Sequence, residues 1–393
     1  MSEPRRSASG ARDLTVAIDA SRNRSGGARV HLGALLSAVD PRDYGIAAVH
    51  VWSYRALLDA LPAAPWLTRH SPAELTGSLP RQLWWQYRLL PAAIRETRCD
   101  VLLTTDAGSV CRLRPSVVMS RDMLSFEPGE MQRYRPGFSR LRLELLRHVQ
   151  VSALRSASGA LFLTRYAADL IQSYSGKLPQ VRIIPHAVGD AFRWRGASRD
   201  WPAAGAPIRC VYVSNADLYK HQWHVVSAIA ELRTAGVPVL LRLIGGGSGP
   251  AESRLVAAIA EADPTHQFVE RLPAVAHAVL PDLLRDADLF IFASSCENMP
   301  NTLLEGMAAA LPIACSNRGP MPEILDDGGV YFNPEDPRSI ASAVRLLVED
   351  PATRTRVVAR SREIASSYSW RRTAEQTWSY LADVARITSM RGA

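Results

Sequence analysis

Two carboxylates eight residues apart, Glu297 and Glu305, stand in the chemically densest stretch of this 393-residue sequence, DLFIFASSCENMPNTLLEGMAAALPIACSNRGPMPEILDDGGVYF (288–332). The apolar run before them reads as a buried strand ending at Ala293, with Ser294 and Ser295 leading into a loop that carries Glu297. Pro300, Asn301 and Thr302 then open a helix, since proline suits a first turn and Asn or Thr its cap. Free N–H groups and the positive dipole end make such a start a site for a diphosphate. Glu305, on the first turns of that helix, can accept hydrogen bonds from two vicinal hydroxyls, as a ribose presents. Glu297 then faces whatever is attached beyond the phosphates. Two other motifs stay open at this level. Gly245, Gly246 and Gly247 either let backbone approach a ligand or form a plain strand-to-helix turn. Asp326-Asp327, in a Gly-rich turn, reads as solvated and not as a metal site.

Positioning these groups is the task of alternating strands and helices. Leu14–Asp19 reads as a first strand, followed by the loop Ser21 to Gly27 and a helix from near Ala28. Buried-type strands recur at Ile46–Val51, Val101–Thr104, Val117–Met119 and Ala160–Leu163. Around 186–207, Arg193, Gly196, Pro202, Gly205 and Pro207 break the pattern, which reads as a linker. Strands then return at Ile208–Val213, Val239–Ile244, Phe268–Glu270, Leu289–Ala293 and Ile313–Cys315. Helices fall between them, and a run of helices begins at Pro337. The expectation is an α/β chain of two doubly wound domains facing a cleft: 1–190, a linker 191–207, 208–370, and a final helix 371–393 that crosses back.

Composition narrows the partners. The net charge of +8 is confined to the first half. Residues 1–190 hold 25 basic against 16 acidic side chains, while 191–393 hold 21 against 22. Aromatic residues are not interleaved with the basic ones, so nucleic acid is not the expected partner. A surface meeting anionic lipid fits better. The stretch Phe138 to Arg155 alternates Arg with Leu and Val at helical spacing. It reads as a core helix with a solvated basic face or as an interfacial helix on an anionic membrane. Five cysteines without metal-ligand spacing suggest reduced core thiols. No run of about 20 apolar residues is present, and Met1 to Asp13 does not read as a signal peptide. The expected location is cytoplasmic, with peripheral contact at the inner face of a membrane.

The E-x7-E block 297–305, with PEIL at 322–325, closely resembles the signature of glycosyltransferase family 4. The likeness continues through YVSNADLYKHQWHVVSAIAEL (212–232), LRLIGGGSGP (241–250), LPDLLRDADLFIFAS (280–294) and Tyr368-Ser-Trp370. In the first half it is architectural only. It implies a GT-B fold and retaining transfer from a nucleotide-diphosphate sugar without a metal or other cofactor. It also implies that Glu305 binds the ribose hydroxyls and that Glu297 lies beside the donor sugar. The amides of Asn298, Met299, Pro300-Asn301 and Thr302 would lie near sugar and phosphate. Lys220 falls on the diphosphate, and Ser214 stands where relatives carry an arginine, so half of a cationic clamp is missing or supplied from elsewhere. Gly26, Gly27, Gly245 and Gly246 match loops approaching the donor, and IIPHAV (183–188) matches the strand and turn before the linker. Where relatives have His-Asp this chain has Arg121-Asp122, and Asp122 either contacts donor or acceptor or caps its loop. His186 reads as a turn histidine. YKHQ (219–222) is similar to the O-antigen mannosyltransferase type, which makes GDP-mannose the first guess and a UDP-sugar the other. The acceptor implied is a glycan or lipid-linked glycan of surface polysaccharide or glycolipid synthesis. A soluble metabolite acceptor and a noncatalytic nucleotide-sugar-binding protein are the alternatives.

Overall fold

A computed structural model describes residues 13–24, 26–197 and 199–392. Nearly all of the segment Met1 to Asp13 lies outside the described residues. Two parallel sheets carry the chain. The first has the order β3-β2-β1-β4-β5-β6-β7. Its strands are β1 (Leu14–Asp19), β2 (Ile46–Trp52), β3 (Leu67–His70), β4 (Val101–Thr104), β5 (Ser116–Met119), β6 (Gly159–Phe162) and β7 (Val181–Ile183). The second has the order β10-β9-β8-β11-β12-β13, built from β8 (Ile208–Val213), β9 (Val239–Ile244), β10 (Val269–Leu272), β11 (Leu289–Phe292), β12 (Ile313–Ser316) and β13 (Val330–Phe332).

In both sheets the order reverses beside the first strand, at β1/β4 and at β8/β11, and ligands of open parallel sheets bind at such switch points. Central strands are buried on both faces, which explains their unbroken apolar runs: every residue of β4 and β11 is at most 1% exposed. The edge strands β3, β7 and β13 are partly exposed; β3 and β13 were not expected from the sequence, and β7 overlaps the strand expected at Ile183 by one residue. Expected boundaries move by a residue or two elsewhere; the first helix, α1, begins at Gly26 instead of near Ala28, and the strand placed at 268–270 is Val269–Leu272.

The chain crosses between the sheets twice. After β7 it passes through an irregular stretch to β8, and after the helix Pro351–Ser367 it returns as the helix Trp370–Gly392. That last helix packs on α1, β1, β4 and β5, burying Trp378 and Tyr380. The two crossings are fastened together: Thr373 Oγ1 donates to Pro185 O (2.9 Å), and Arg193 donates to the carbonyls of Ala365 (3.2 Å) and Tyr368 (2.9 Å). Among the described residues no helix is long and apolar enough to cross a membrane.

Candidate functional site

The loop after β11 and the helix Asn301–Ala308 form the centre of the cleft between the sheets. Pro300 is the helix N-cap, in extended conformation, and among the described residues no side chain bonds to the first amides. Those donors are therefore free for a ligand. Two hollows, of about 350 and 360 Å³, meet here and share Gly27, Val213, Ser214, Asn215, Asn301 and Thr302. Glu305 lies in the first hollow, with Val30, Val275 and Leu280 supplying apolar walls. Glu297, Asn298, Met299 and Lys220 lie in the second.

Each carboxylate already has a basic partner. Glu305, 5% exposed, accepts from His277 Nε2 at 2.8 Å. That bond, and then the charge of Glu305, holds the His277 imidazole above its ordinary pKa. Glu297 is ion-paired with Lys220. Lys220 closes the short turn Leu218–Lys220, which Asp217 caps by accepting from Leu218 N (2.7 Å). Its ammonium also sits 4.9 Å from the Tyr219 ring centroid, a cation–π distance. The site thus holds alternating charges that a diphosphate and its hydroxyls can exchange for their own.

Two glycines stand where chain segments approach closely. A Cβ on Gly27 would lie 2.8 Å from Asn301 Nδ2, because α1 of the first domain and the Asn301 helix of the second touch there. Gly245 has φ +150° and its missing Cβ would collide with the Ser214 carbonyl. Gly26 and Gly245 line the first hollow, whereas Gly246 lines neither and instead donates to Asn215 Oδ1 (3.1 Å). Ser214 lines both hollows and bonds to Gln222 Nε2 (3.0 Å).

The first domain grips the loop 297–300 directly. Asn298 Nδ2 donates to Ser120 O (3.3 Å), Thr164 Oγ1 donates to Asn298 O (3.1 Å), and the amide of His186 approaches Met299 Sδ (3.1 Å). Asn298 is therefore a bridge between domains. Asp122 is turned elsewhere, accepting from Leu124 N (3.0 Å) and Gln150 Nε2 (3.4 Å), and is not among the lining residues. Its neighbour Arg121 is. His186 also lines the second hollow and meets His31 edge to face at 4.8 Å. Burial keeps both imidazoles neutral, pushing His31 down to about 3 and His186 well below its ordinary value.

Sequence reasoning did not find His277, Arg121 or Glu323 as site or bridging groups. Glu323, in the PEIL motif, accepts from the amides of Arg165 and Tyr166 (2.7 Å each), capping the helix Arg165–Ser175 of the other domain. Asp326 and Asp327 are exposed, as expected, and Arg360 pairs with both.

Comparison with solved structures identifies the architecture as the GT-B fold. Sucrose-phosphate synthase from Thermosynechococcus elongatus superposes with a TM-score of 0.71 at 17% identity, covering 93% of this chain and 97% of the other. The Anabaena protein HepE, solved in complex with UDP-glucose, gives 0.67 at 16% identity over 96% and 100%. Residues 197–364 match the family model described as Glycosyl transferases group 1. A D-inositol 3-phosphate glycosyltransferase from Kineococcus radiotolerans is 34% identical over 234 residues, 53% of either chain. The chain thus spans about half the length of the curated relatives it matches.

Proposed function

We propose that this protein is a retaining glycosyltransferase that moves a hexose from a nucleoside-diphosphate sugar to a hydroxyl acceptor. The observation that carries this is the placing of Glu305 and Glu297 in adjoining hollows on either side of an uncapped helix N-terminus. In this reading Glu305 accepts from the ribose hydroxyls, the amides after Pro300 hold the diphosphate, and Glu297 contacts the sugar. The anomeric carbon loses its bond to the β-phosphate oxygen and gains one to the acceptor oxygen on the same face. The acceptor proton passes to the departing phosphate. Negative charge grows on the leaving group, so Lys220 acts more strongly in the transition state than before it. No metal is required by this scheme. Calorimetry with GDP- and UDP-sugars tests it: donor binding persists in EDTA. Binding that vanishes on chelation and returns with Mn²⁺ removes the metal-free scheme. Mannose from GDP-mannose remains the first guess from the YKHQ stretch, while the UDP-glucose complex of HepE supports a UDP-sugar as the second.

For the acceptor we favour a lipid-linked glycan reached at an anionic membrane. The helix Phe138–Ser156 exposes Phe138 (83%), Leu141 (68%) and Leu145 (64%), with Arg135 and Arg142 exposed beside them. Its outer face is therefore apolar as well as basic, unlike the solvated face of an ordinary core helix. Flotation with vesicles containing anionic lipid should recover the wild type and lose a Phe138→Ser/Leu141→Ser/Leu145→Ser variant. Equal recovery of both favours a soluble acceptor.

A further inference from the structure

Resting on that reading of the donor site, we infer that Arg121 supplies the second cation for the donor's β-phosphate, from the first domain instead of the second. Beside the phosphate-facing part of the hollow the second domain sets Ser214, an uncharged group with a hydroxyl already bonded to Gln222. Its remaining cation, Lys220, is already ion-paired with Glu297.

Arg121 lies just beyond β5, at the carboxyl end of the first sheet, and lines the same hollow as Lys220 and Gly27. Among the described residues its guanidinium makes no hydrogen bond or ion pair; the opposing charge it feels is Asp106, which is itself bonded to Gly108 N (2.6 Å). Burial pulls the group down to about 10, still charged at neutral pH. The flanking imidazoles of His31 and His186 are neutral and supply no positive charge.

A part-buried guanidinium without a carboxylate is costly unless an anion completes it. Its five donors suit two phosphate oxygens at once. The hollow is where the phosphates must pass, since Gly27 and the uncapped amides of Asn301 and Thr302 border it. Because Arg121 and Lys220 belong to different domains, the clamp is complete only while the domains face each other closely. Nucleoside diphosphate then holds the cleft shut, and nucleoside monophosphate does not.

Calorimetry of wild type, Arg121→Ala and Arg121→Lys with UDP, UMP, GDP and GMP tests this. The alanine variant should lose about 10- to 100-fold in affinity for the diphosphate that the wild type binds, and under about 3-fold for its monophosphate. Lysine should restore part of the loss. Unchanged diphosphate affinity overturns the inference, including a case where only donors with an anionic sugar suffer. Equal losses for mono- and diphosphate also overturn it, by pointing to general damage. A wild type that binds none of the four nucleotides removes the donor-site reading itself.

Discussion

The two walls of the cleft handle charge in opposite ways. On the second domain's wall the two glutamates are already matched: Glu297 with Lys220, and Glu305 with His277. On the first domain's wall four buried groups lack such matches among the described residues: neutral His31 and His186, Arg121 without an ion pair, and Glu127 with one oxygen lacking a hydrogen-bond partner. A matched wall is stable when empty and must exchange partners to bind. An unmatched wall bears desolvation until a ligand or partner domain arrives. Mutations of the matched carboxylates should therefore act on binding and turnover, whereas mutation of a buried, unmatched acid should act on stability.

The largest effect should come from Glu297→Gln. Turnover should fall at least ~100-fold, as for loss of a transition-state electrostatic contact. Free nucleoside diphosphate should bind as well as before or better, because Lys220 is released. Steady-state rates beside calorimetry check this, and a loss of nucleotide affinity equal to that of the Glu305 variant reverses the two assignments.

Next comes Glu305→Ala, expected to weaken donor and free nucleotide diphosphate alike by ~1.5–3 kcal/mol through loss of a charge-assisted partner. An unchanged affinity would place the ribose elsewhere.

His277 sharpens the idea of exchange. Its raised pKa means that the imidazolium–Glu305 contact is fully present below the ordinary histidine range and fades as pH rises through the raised value. A ribose that takes both carboxylate oxygens must displace it. His277→Ala should tighten nucleotide binding several-fold, by roughly the value of one exposed ion pair, at pH 6, and by less at pH 8.5. Weaker binding at both pH values would make His277 a ligand instead of a competitor.

The smallest effect concerns Glu127. Burial, and then the charge of Glu130, raise its carboxyl to about 7, against the opposing hydrogen bond from Tyr166 (2.5 Å). The folded state prefers the neutral acid, so this contribution is present near pH 4.5 and lost as pH rises through about 7. Glu127→Gln should melt about 2–4 °C higher than wild type at pH 8 and together with it at pH 4.5, the scale expected for about 1 kcal/mol. Identical melting at both pH values would show that the first wall carries no such strain.

How much could be read from the sequence follows the same division. Glu297 and Glu305 were legible because strand, loop and helix place them within one contiguous stretch. Central strands were legible because burial on both faces leaves an unbroken apolar run. Strands β3 and β13 were not, since a short, half-exposed edge carries no such run. His277 acts on Glu305 from the short helical turn His277–Val279, 28 residues away, a pairing that no local pattern encodes. At 121–122 the acid drew attention as a polar loop residue, yet the chain turns its basic neighbour into the hollow. The Arg-rich helix shows a further gap. Spacing revealed its two faces, but only the fold reveals that Phe138, Leu141 and Leu145 lie on the outward one.

The paired crossings of the chain have a mechanical consequence. Two covalent straps lying side by side, tied through Thr373 to Pro185 and through Arg193 to Tyr368, act on the halves as a door's hinge leaf does. They resist the halves being pulled apart or slid past each other, and they leave a swing about the line through the straps. Contacts that close the door, such as Arg133 with Glu335 (2.8 Å) and Tyr134 with Asp217 (2.9 Å), join side chains only and can part with that swing. Entry and exit of a bulky nucleotide therefore become one angular motion, whose arc is set where the chain crosses and not where the chemistry occurs.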